Sequence, residues 1–497
     1  MISYSLDDNK KTALYEQLYN YLKNDIVSGR LSANTPLPSK RNFAGQLSIS
    51  VITVENAYNQ LLSEGFIYSL PRKGFYVNDI FEDNPLSQNK IMSTINNADK
   101  ANQNANHIQK STPDTQYFMS TSSNHTITTD KYFADFSSNA TDPESFPFSI
   151  WVKLTRRILS EDQAYLMQNS PSNGIPELRQ AIANYLYAFR GMNVNPDNII
   201  IGAGTETMYN ILIQLLGYDL IYACENPGYD KISQILSSNN VKNLRIPIDD
   251  SGVIVSRLEE ESVNIIHTTP SHHFPTGLTM PIKRRYELLS WADNSQREAR
   301  YIIEDDYDSE FRLAGRPVPS LFSTDTGSKV IYMNTFTKSL ASTIRINYMV
   351  LPDNLMEIYR QKLFFYSCTV STFEQLTLAR FISEGYYEKH INRMRNAYRK
   401  KRDLLLNSIK NSPLGDISEI SEEKSGLHFV LNIKTNIPEK ELVASCKENS
   451  IKLMPISYFY KDKETGNKNA YMINYSSIPT ERIEESVNRI CKSICSS

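Results

Sequence analysis

The chain has 497 residues, with 53 lysines and arginines against 55 aspartates and glutamates and a formal net charge of -2. This length corresponds to about three structural units, and 40% apolar residues are enough to fill a sizeable core. The near-neutral charge excludes a polybasic coat for nucleic acid, but not a basic face on one small domain.

The sequence also excludes several cellular destinations. The five cysteines are scattered and odd in number, so they form no disulfide framework and indicate a reducing compartment. The N-terminus lacks the pattern of a signal peptide, and polar side chains interrupt the longest apolar stretch, residues 209–224. We therefore expect a cytoplasmic protein with no membrane partner.

Residues 81–134 differ in composition from the rest of the chain. Of these 54 residues, 25 are Asn, Gln, Ser or Thr. Such a segment cannot bury enough apolar surface to offset the entropy lost on ordering, so a flexible polar linker is predicted. It divides an N-terminal unit, residues 1–80, from a C-terminal unit, residues 135–497.

Three helical patterns open the N-terminal unit. Residues 12–28 carry leucine or isoleucine at every fourth position, as an amphipathic helix does. Ser39 can cap a second helix that runs to about Leu47, and Ser50 can cap a third that runs to about Ser63. The third helix has an apolar face, and polar residues share the opposite face: Thr53, Asn56 and Gln60.

A hairpin pattern follows Gly65, in which residues 66–68 can pair with residues 75–77 around a basic tip. Together these patterns predict a winged helix-turn-helix, mainly α with a small β wing, whose third helix fits the DNA major groove. The alternative is a small helical bundle with an incidental hairpin. The predicted DNA-contacting residues are Ser39, Arg41, Ser50, Thr53, Asn56, Arg72 and Lys73.

The N-terminal unit closely resembles the GntR-type DNA-binding domain. The shared motifs are Ala13-Leu-Tyr-Glu-Gln-Leu18, Leu37-Pro-Ser-Lys-Arg41, Thr53-Val54 with Ala57-Tyr58, Glu64-Gly65-Phe66 and Lys73-Gly-Phe-Tyr-Val77. One departure is Val51, because an arginine commonly follows the serine that opens the recognition helix in that family. The loss of this donor shifts the predicted DNA contact toward the other polar and basic residues.

In the C-terminal unit, short β-branched runs alternate with helical patterns. This alternation is typical of an α/β fold with a mostly parallel central sheet. The runs are residues 198–201, 219–222, 263–266, 301–303 and 330–332.

Three segments of this unit fit a pyridoxal phosphate (PLP) site. The glycine turn before Thr205 opens helix N–H groups to a phosphate, and the helix dipole favours the anion. A carboxylate at the end of the strand 301–303 can keep a pyridine nitrogen protonated, and Lys338, after the strand 330–332, can bond the aldehyde. Nearby residues can complete a phosphate cup: Thr335, Thr337 and Arg345.

Residues 135–490 resemble a fold type I aminotransferase. Further landmarks are Gly174-Ile-Pro-Glu-Leu-Arg179, Glu225-Asn-Pro-Gly-Tyr229, Pro275-Thr-Gly277 and His390-Ile-Asn-Arg-Met-Arg395. The resemblance implies that Lys338 is the catalytic Schiff-base lysine and that Asp305 pairs with the ring nitrogen, with Asp306 and Asp308 as alternatives. It also implies that Tyr307 bonds the ring hydroxyl. The other implied cofactor contacts are Tyr229 on the ring face and, at the phosphate, Thr205, the backbone of Glu206, Thr335, Thr337 and Arg345.

A GntR-type unit joined by a long linker to an aminotransferase-like unit resembles the MocR/GabR family of bacterial transcription regulators. This resemblance implies a homodimer that binds double-stranded DNA at two half-sites. It also implies that the C-terminal unit, with PLP as cofactor, senses PLP or a small amine or amino acid. Two alternatives stay open, an active aminotransferase with a tethered DNA-binding domain and an inert dimer scaffold that has lost its cofactor. The retained Lys338 and Asp305 argue against the scaffold.

Four positions depart from the transaminase pattern. Met472 stands where such enzymes usually hold the substrate carboxylate with an arginine, and Lys231 offers one charge but no bidentate fork. Phe274 replaces an asparagine that often precedes Pro-Thr-Gly, and Asn169 replaces a tyrosine that often reaches across the dimer to the phosphate. We therefore expect a half-reaction at most, rather than steady turnover.

The neighbouring histidines His272 and His273 are typical metal-ligand residues. The sequence places no carboxylate or thiol at ligand spacing from them, so we expect a role in a loop and no metal site.

Overall fold

The structure, a computed structural model, describes residues 4, 6, 13–70, 73–79, 132–138, 143–161, 163–294, 299–313, 318–422, 426–462 and 469–495. Arg72 at the predicted hairpin tip and residues 81–131 of the predicted linker lie outside these ranges. Within the described ranges, no helix is both long and apolar enough to cross a membrane.

The N-terminal unit contains three helices and an antiparallel hairpin, as predicted for a winged helix-turn-helix. Its elements are α1 (Leu14–Val27), α2 (Lys40–Leu47), α3 (Val51–Glu64), β1 (Ile67–Leu70) and β2 (Gly74–Val77). Ser39 Oγ accepts a hydrogen bond from the N–H of Asn42, and Ser50 Oγ accepts one from the N–H of Thr53. Both serines therefore cap helices, and the predicted fold is confirmed.

The last turn of α3 is buried rather than exposed. Gln60, which the sequence pattern placed on the exposed polar face, is 4% exposed and donates a hydrogen bond to Glu64. Glu64 also accepts a hydrogen bond of 2.7 Å from the Tyr19 hydroxyl and pairs with Lys23 at 3.8 Å. The prediction for Gln60 was wrong because this end of α3 faces the C-terminal unit, where Glu64 gives the amide a partner.

An eight-stranded sheet forms the centre of the C-terminal unit. In chain order its strands are β4 (Ile199–Gly202), β5 (Tyr222–Asn226), β6 (Asn243–Asp249), β7 (Gly252–Val253), β8 (Ile265–Thr268), β9 (Tyr301–Asp305), β10 (Val330–Thr335) and β11 (Asn347–Val350). Their order across the sheet is β4-β11-β10-β9-β8-β5-β6-β7, and β11 and β7 run antiparallel to their neighbours. The mostly parallel sheet is confirmed. The strand predicted at 219–222 begins only at Tyr222, because Gly217 ends the preceding helix and a bend follows it.

Successive residues of the central strands pack into different apolar clusters. Ile303 and Ile331 join one cluster, whereas Ile302 and Val330 join another, as expected when strand side chains alternate between the two faces of a sheet.

The helices of this unit are α4 (Phe148–Glu161), α5 (Gln163–Leu166), α6 (Pro176–Arg190), α7 (Thr205–Leu216), α8 (Asp230–Ser238), α9 (Val255–Glu260), α10 (Ile282–Asp293), α11 (Leu321–Thr324), α12 (Asp353–Lys362), α13 (Thr372–Ser383), α14 (Tyr386–Lys410), α15 (Leu414–Ile417), α16 (Glu439–Glu448) and α17 (Ile483–Cys495).

Smaller strand pairings complete the C-terminal unit. A short parallel pair joins β3 (Ala134–Asp135) to β14 (Ile451–Lys452). An antiparallel sheet contains β12 (Ser418–Ser421), β13 (His428–Ile433), β16 (Ala470–Asn474) and β15 (Met454–Pro455), in that order.

The two units touch where α3 ends and α10 begins. Ile282, the first residue of α10, is 5% exposed and belongs to the apolar core of the N-terminal unit, against which Tyr286 also packs. Gly65 at the end of α3 lies so near Pro281 that a Cβ on the glycine would be 3.1 Å from the proline Cβ. We call this contact, formed by Gly65, Pro281, Ile282 and Tyr286, the seam.

Candidate functional site

A cavity of about 400 Å³ lies at the carboxyl ends of β9 and β10, beside the start of α7. Ligands of α/β sheets commonly bind at this edge, because the strand ends and their loops gather polar groups there. The structure brings together all nine residues predicted to contact a cofactor. The cavity lining includes Thr205, Glu206, Tyr229, Asp305, Tyr307, Thr335, Thr337, Lys338 and Arg345.

Lys338 lies in the turn that follows β10. Burial lowers the pKa of Lys338 to about 8, although the carboxylates of Asp308 and Asp305 oppose the shift. A lysine with this pKa is partly neutral near physiological pH, and its neutral amine is a nucleophile. The next residue, Ser339, is buried, and His390 Nε2 lies 2.7 Å from its carbonyl oxygen. This contact holds the turn that carries the lysine.

The three aspartates at the end of β9 and in the loop after it have different surroundings. Asp305 lines the cavity, and its Oδ2 lies 3.4 Å from Nε2 of His267. Asp306 is 2% exposed and pairs with Arg190 at 2.8 Å, while Asp308 is buried beside a histidine. Of the three carboxylates, Asp305 is therefore the one placed to meet a ring in the cavity.

His267 is a cavity residue that the sequence reasoning missed. It lies in β8 in register with Ile303 of β9, so its side chain shares a sheet face with Asp305. A histidine directly after the apolar run 263–266 was the available signal. That run was used only to place a strand ending at residue 266, whereas β8 continues to Thr268 and includes the histidine.

The start of α7 and the turn before β11 form a cup for an anion. Gly204 precedes the helix with φ 92°, a left-handed conformation that glycine adopts without strain. A Cβ on Gly204 would collide with the guanidinium of Arg345, so the glycine also makes room for this charge. The hydroxyl oxygens of Thr335 and Thr337, 2.7 Å apart, belong to the same wall. The N–H groups at the helix start and the arginine both favour an anion here.

The carboxylate of Glu206 lies between two cations in this cup. Its Oε1 is 2.5 Å from Lys231 Nζ, and its Oε2 is 2.9 Å from Arg345 Nη2. The sequence predicts a role only for the backbone of Glu206 and a charge for a substrate carboxylate at Lys231. The structure corrects this picture, because the Lys231 ammonium is paired inside the cup.

His272 lies behind Tyr307 and joins it to a buried carboxylate. Its Nδ1 is 3.1 Å from the Tyr307 hydroxyl and 2.9 Å from Asp308 Oδ2. His428 lies against it, with 4.5 Å between the ring centroids, and His272, Asp308 and His428 each place one potential ligand atom within 4.8 Å of the others. The sequence shows no carboxylate at ligand spacing from His272; Asp308 comes from the loop after β9, and only the fold brings it beside the histidine.

Apolar side chains surround Met472, which the sequence predicts at the position of the carboxylate-binding arginine of transaminases. Met472 in β16 is 2% exposed and packs with Val430 and Phe459. Phe274 meets Phe459 and Tyr229 edge-on, with ring centroids 5.1 and 5.5 Å apart. Such a wall offers a carboxylate no counter-charge, and an unpaired buried charge is costly.

The predicted DNA-contacting residues are accessible, apart from Arg72, which lies outside the described ranges. Thr53 is half-buried, and the exposed ones are Ser39, Arg41, Ser50, Asn56 and Lys73. The apolar residues Val51 and Ile52, which were not predicted to contact DNA, are 43% and 68% exposed. Apolar side chains at the start of a recognition helix suit contact with thymine methyl groups.

Comparison with known proteins agrees with this two-part architecture. Residues 133–490 match the family described as aminotransferase class I and II, and residues 14–77 match bacterial regulatory proteins of the gntR family. The chain is 39% identical to the uncharacterized HTH-type transcriptional regulator YdeL of Bacillus subtilis, over 90% of each protein. It is 28% identical to the probable rhizopine catabolism regulatory protein MocR of Rhizobium meliloti, over 98% of this chain and 94% of that one.

The fold is also similar to that of a solved enzyme. Kynurenine aminotransferase of Pyrococcus horikoshii, crystallised in complex with PMP, superposes with a TM-score of 0.64 and 25% identity. The match covers 74% of this chain and 92% of the enzyme. With its GntR-type DNA-binding unit and its aminotransferase class I and II unit, this chain belongs to the MocR/GabR family of HTH-type transcriptional regulators.

Proposed function

We propose that this transcription regulator binds PLP in its C-terminal unit and responds to PLP itself or to a small amine or amino acid. The observation that carries the proposal is Lys338, whose pKa is lowered to about 8 in the same cavity as Asp305 and an anion cup. The aminotransferase class I and II family depends on PLP, and the similar enzyme was crystallised with PMP.

The donor groups of the cavity fit PLP. This cofactor supplies an aldehyde that a lysine amine can attack and a pyridine ring that withdraws electrons when its nitrogen is protonated. We assign the amine to Lys338, the nitrogen partner to Asp305, the partner of the ring hydroxyl to Tyr307 and the ring-face contact to Tyr229. The groups assigned to the phosphate are Thr205, the backbone N–H of Glu206, Thr335, Thr337 and Arg345.

Sensing is favoured over steady transamination by the residues predicted to stand where a transaminase holds its substrate carboxylate. Because Met472 and Phe274 are apolar and Lys231 is paired with Glu206, a substrate α-carboxylate lacks a strong partner there. An active aminotransferase with a tethered DNA-binding unit is the second candidate, and the low pKa of Lys338 is the observation that favours it.

We further propose that the protein is a homodimer. Phe148, Val152 and Leu159 lie on one face of α4 and are 63%, 42% and 44% exposed, so they form an apolar stripe suited to a second copy. The proposed divisions are residues 1–80 for DNA binding, 81–134 for the linker and 135–497 for PLP binding and dimerisation. Two DNA-binding units in one dimer imply an operator with two half-sites.

An absorbance titration with PLP tests the cofactor proposal. The native protein should develop a near-ultraviolet or visible band as PLP is covalently retained, and Lys338→Ala should not, because it lacks the amine. Lys434→Ala is the matched control, since this lysine directly follows β13, its side chain is 73% exposed and it is not part of the cavity lining. A native protein that stays colourless at saturating PLP would contradict the proposal and favour the scaffold alternative.

A further inference from the structure

Glu206 holds a negative charge inside the cup that we assign to a phosphate. Its carboxylate contacts Lys231 Nζ at 2.5 Å and Arg345 Nη2 at 2.9 Å, so this one carboxylate forms ion pairs with both cations. The three side chains are 39%, 39% and 52% exposed for Glu206, Lys231 and Arg345, so water and small ions can reach them. The ion pairs are therefore exchangeable rather than locked in the core.

The carboxylate is well stabilised where it lies. Burial alone would raise the pKa of Glu206, but Lys231, the backbone N–H at the start of α7 and Arg345 together lower it to about 2. The N-terminal end of a helix favours any anion, whether it belongs to a side chain or to a ligand. The same groups that would bind a phosphate thus already bind this carboxylate.

We propose that Glu206 acts as an internal competitor for the phosphate group, so that it weakens PLP binding and sets the concentration at which the protein responds. This inference rests on the proposed binding of PLP. A phosphate monoester carries a charge of about -1.5 to -2 near neutral pH, and Arg345 and Lys231 together offer two positive charges. While Glu206 keeps its place, only one of these positive charges is left uncompensated.

Competition follows from this charge balance. Either the carboxylate leaves both cations when the phosphate enters, or it stays and repels the incoming dianion across a short distance. Both routes reduce the affinity for the phosphorylated cofactor and leave its unphosphorylated form, pyridoxal, unaffected. A sensor of PLP benefits from such weakened binding, because a site saturated at low PLP could not report changes in the PLP concentration.

The alternative role for Glu206 is to assist phosphate binding, and one experiment distinguishes assistance from competition. If Glu206 instead orients Arg345 and Lys231 for the phosphate, its removal would weaken PLP binding rather than strengthen it. The test uses Glu206→Gln, which keeps the shape and the backbone N–H but removes the charge, together with Glu206→Ala. Glu259→Gln is the matched control, because Glu259 is 54% exposed and pairs with Arg300 at 2.7 Å, but is not part of the cavity lining.

Dissociation constants for PLP and for pyridoxal would be measured with the full-length protein by titration calorimetry. We expect Glu206→Gln to bind PLP about tenfold more tightly, which corresponds to ~1.4 kcal/mol, with pyridoxal affinity unchanged. Unchanged or weaker PLP binding in the variant would overturn the proposal, as would an equal gain for pyridoxal. The control variant should match the native protein for both compounds.

Inorganic phosphate provides a readout that does not depend on the cofactor. Phosphate should raise the melting temperature of cofactor-free Glu206→Gln more than that of the native protein, because bound ligand stabilises the folded state. An equal or smaller shift in the variant would contradict the competition. If the native protein bound no PLP while the phosphate difference was present, the proposed function would fail and the role of Glu206 in the cup would stand.

Discussion

His267 and Asp305 face each other on neighbouring parallel strands, with 3.4 Å between His267 Nε2 and Asp305 Oδ2. The histidine side chain is 6% exposed and the aspartate side chain 20%, so the contact lies at the inner end of the cavity. Two strands that are distant in sequence thereby support one carboxylate. We infer that His267 orients Asp305 toward the cavity and is a positioning residue for it.

This relationship predicts a graded effect of two substitutions on PLP affinity. Asp305→Ala should weaken binding more than His267→Phe, because the first removes the assigned partner of the ring nitrogen and the second only its support. For His267→Phe we expect a loss of about tenfold, since one hydrogen bond to a charged group contributes roughly 1.5–3 kcal/mol and this one is long. Fluorescence titration with PLP measures both. Equal affinity of His267→Phe and the native protein would refute the positioning role.

A second prediction concerns catalysis. Because Met472 and Phe274 are apolar and are predicted to stand where transaminases bind their substrate, common α-amino acids should support no steady transamination. Single-turnover spectra should show a half-reaction at most, and coupled assays with a 2-oxo acid should show no sustained product. Multiple turnover at a rate on the order of 1–10³ s⁻¹ would make the enzyme the primary function.

A third prediction concerns stability below neutral pH. His390 is 3% exposed and bonds the turn beside Lys338, and burial lowers its pKa from 6.5 to about 4. Between these two pH values His390 is protonated in the unfolded chain but not in the folded one. The free energy of unfolding therefore falls as pH drops from 6.5 toward 4. Between pH 7 and pH 5 this group should cost roughly 2 kcal/mol of unfolding free energy.

Urea unfolding at pH 7 and pH 5 checks this contribution. His390→Asn retains a side chain that can donate to the Ser339 carbonyl but cannot titrate, so its loss of stability on acidification should be smaller by that amount. A variant as sensitive to acid as the native protein would show that His390 is not the responsible group.

The sequence predicted those features that depend on neighbours along the chain. Ser39 and Ser50 cap helices because a cap needs only the next few backbone N–H groups. Lys338 and Asp305 were found because Asp305 ends an apolar strand and Lys338 lies in the turn after another, and parallel strands bring their carboxyl ends to one edge of the sheet. Local pattern and sheet topology were therefore sufficient to locate the cavity.

The sequence could not predict features that depend on register between distant segments. The contact of His267 with Asp305 requires the pairing of β8 with β9, and that of His272 with Asp308 requires the same two strands to be neighbours. Gln60 was misplaced because the amphipathic pattern of α3 reveals which face is polar, but not that another unit covers its last turn.

The DNA operator provides a fourth prediction. A dimer presents two recognition helices, so the half-site centres should lie near a multiple of ~10 bp, and insertion of about five base pairs should weaken binding sharply. Arg41→Ala and Lys73→Ala should each weaken binding and lower its salt dependence, because each removes a charge near the phosphates. Lys434→Ala serves again as the control. Footprinting that protects a single half-site in the dimer would contradict the arrangement.

The last prediction concerns the seam between the units. The segment that lines the cavity through Thr269 and Phe274 continues to Pro281 and Ile282, where it enters the core of the N-terminal unit. A change in the cavity can therefore reach the DNA-binding unit along a short, packed stretch of chain. Tyr286→Ala removes apolar contact at the seam and changes neither the cavity lining nor any residue predicted to contact DNA.

We expect Tyr286→Ala to bind PLP and DNA as the native protein does, but to lose most of the effect of PLP on DNA affinity. That effect is a coupling free energy, for which 1–3 kcal/mol, or about 5- to 150-fold, is typical, and it must appear equally in the effect of DNA on PLP affinity. Fluorescence anisotropy with and without PLP, and PLP titration with and without operator DNA, measure the two sides. Tyr218→Ala, at a tyrosine that is 50% exposed outside the seam, is the control. Native coupling in Tyr286→Ala would show that the signal crosses between the units by another route.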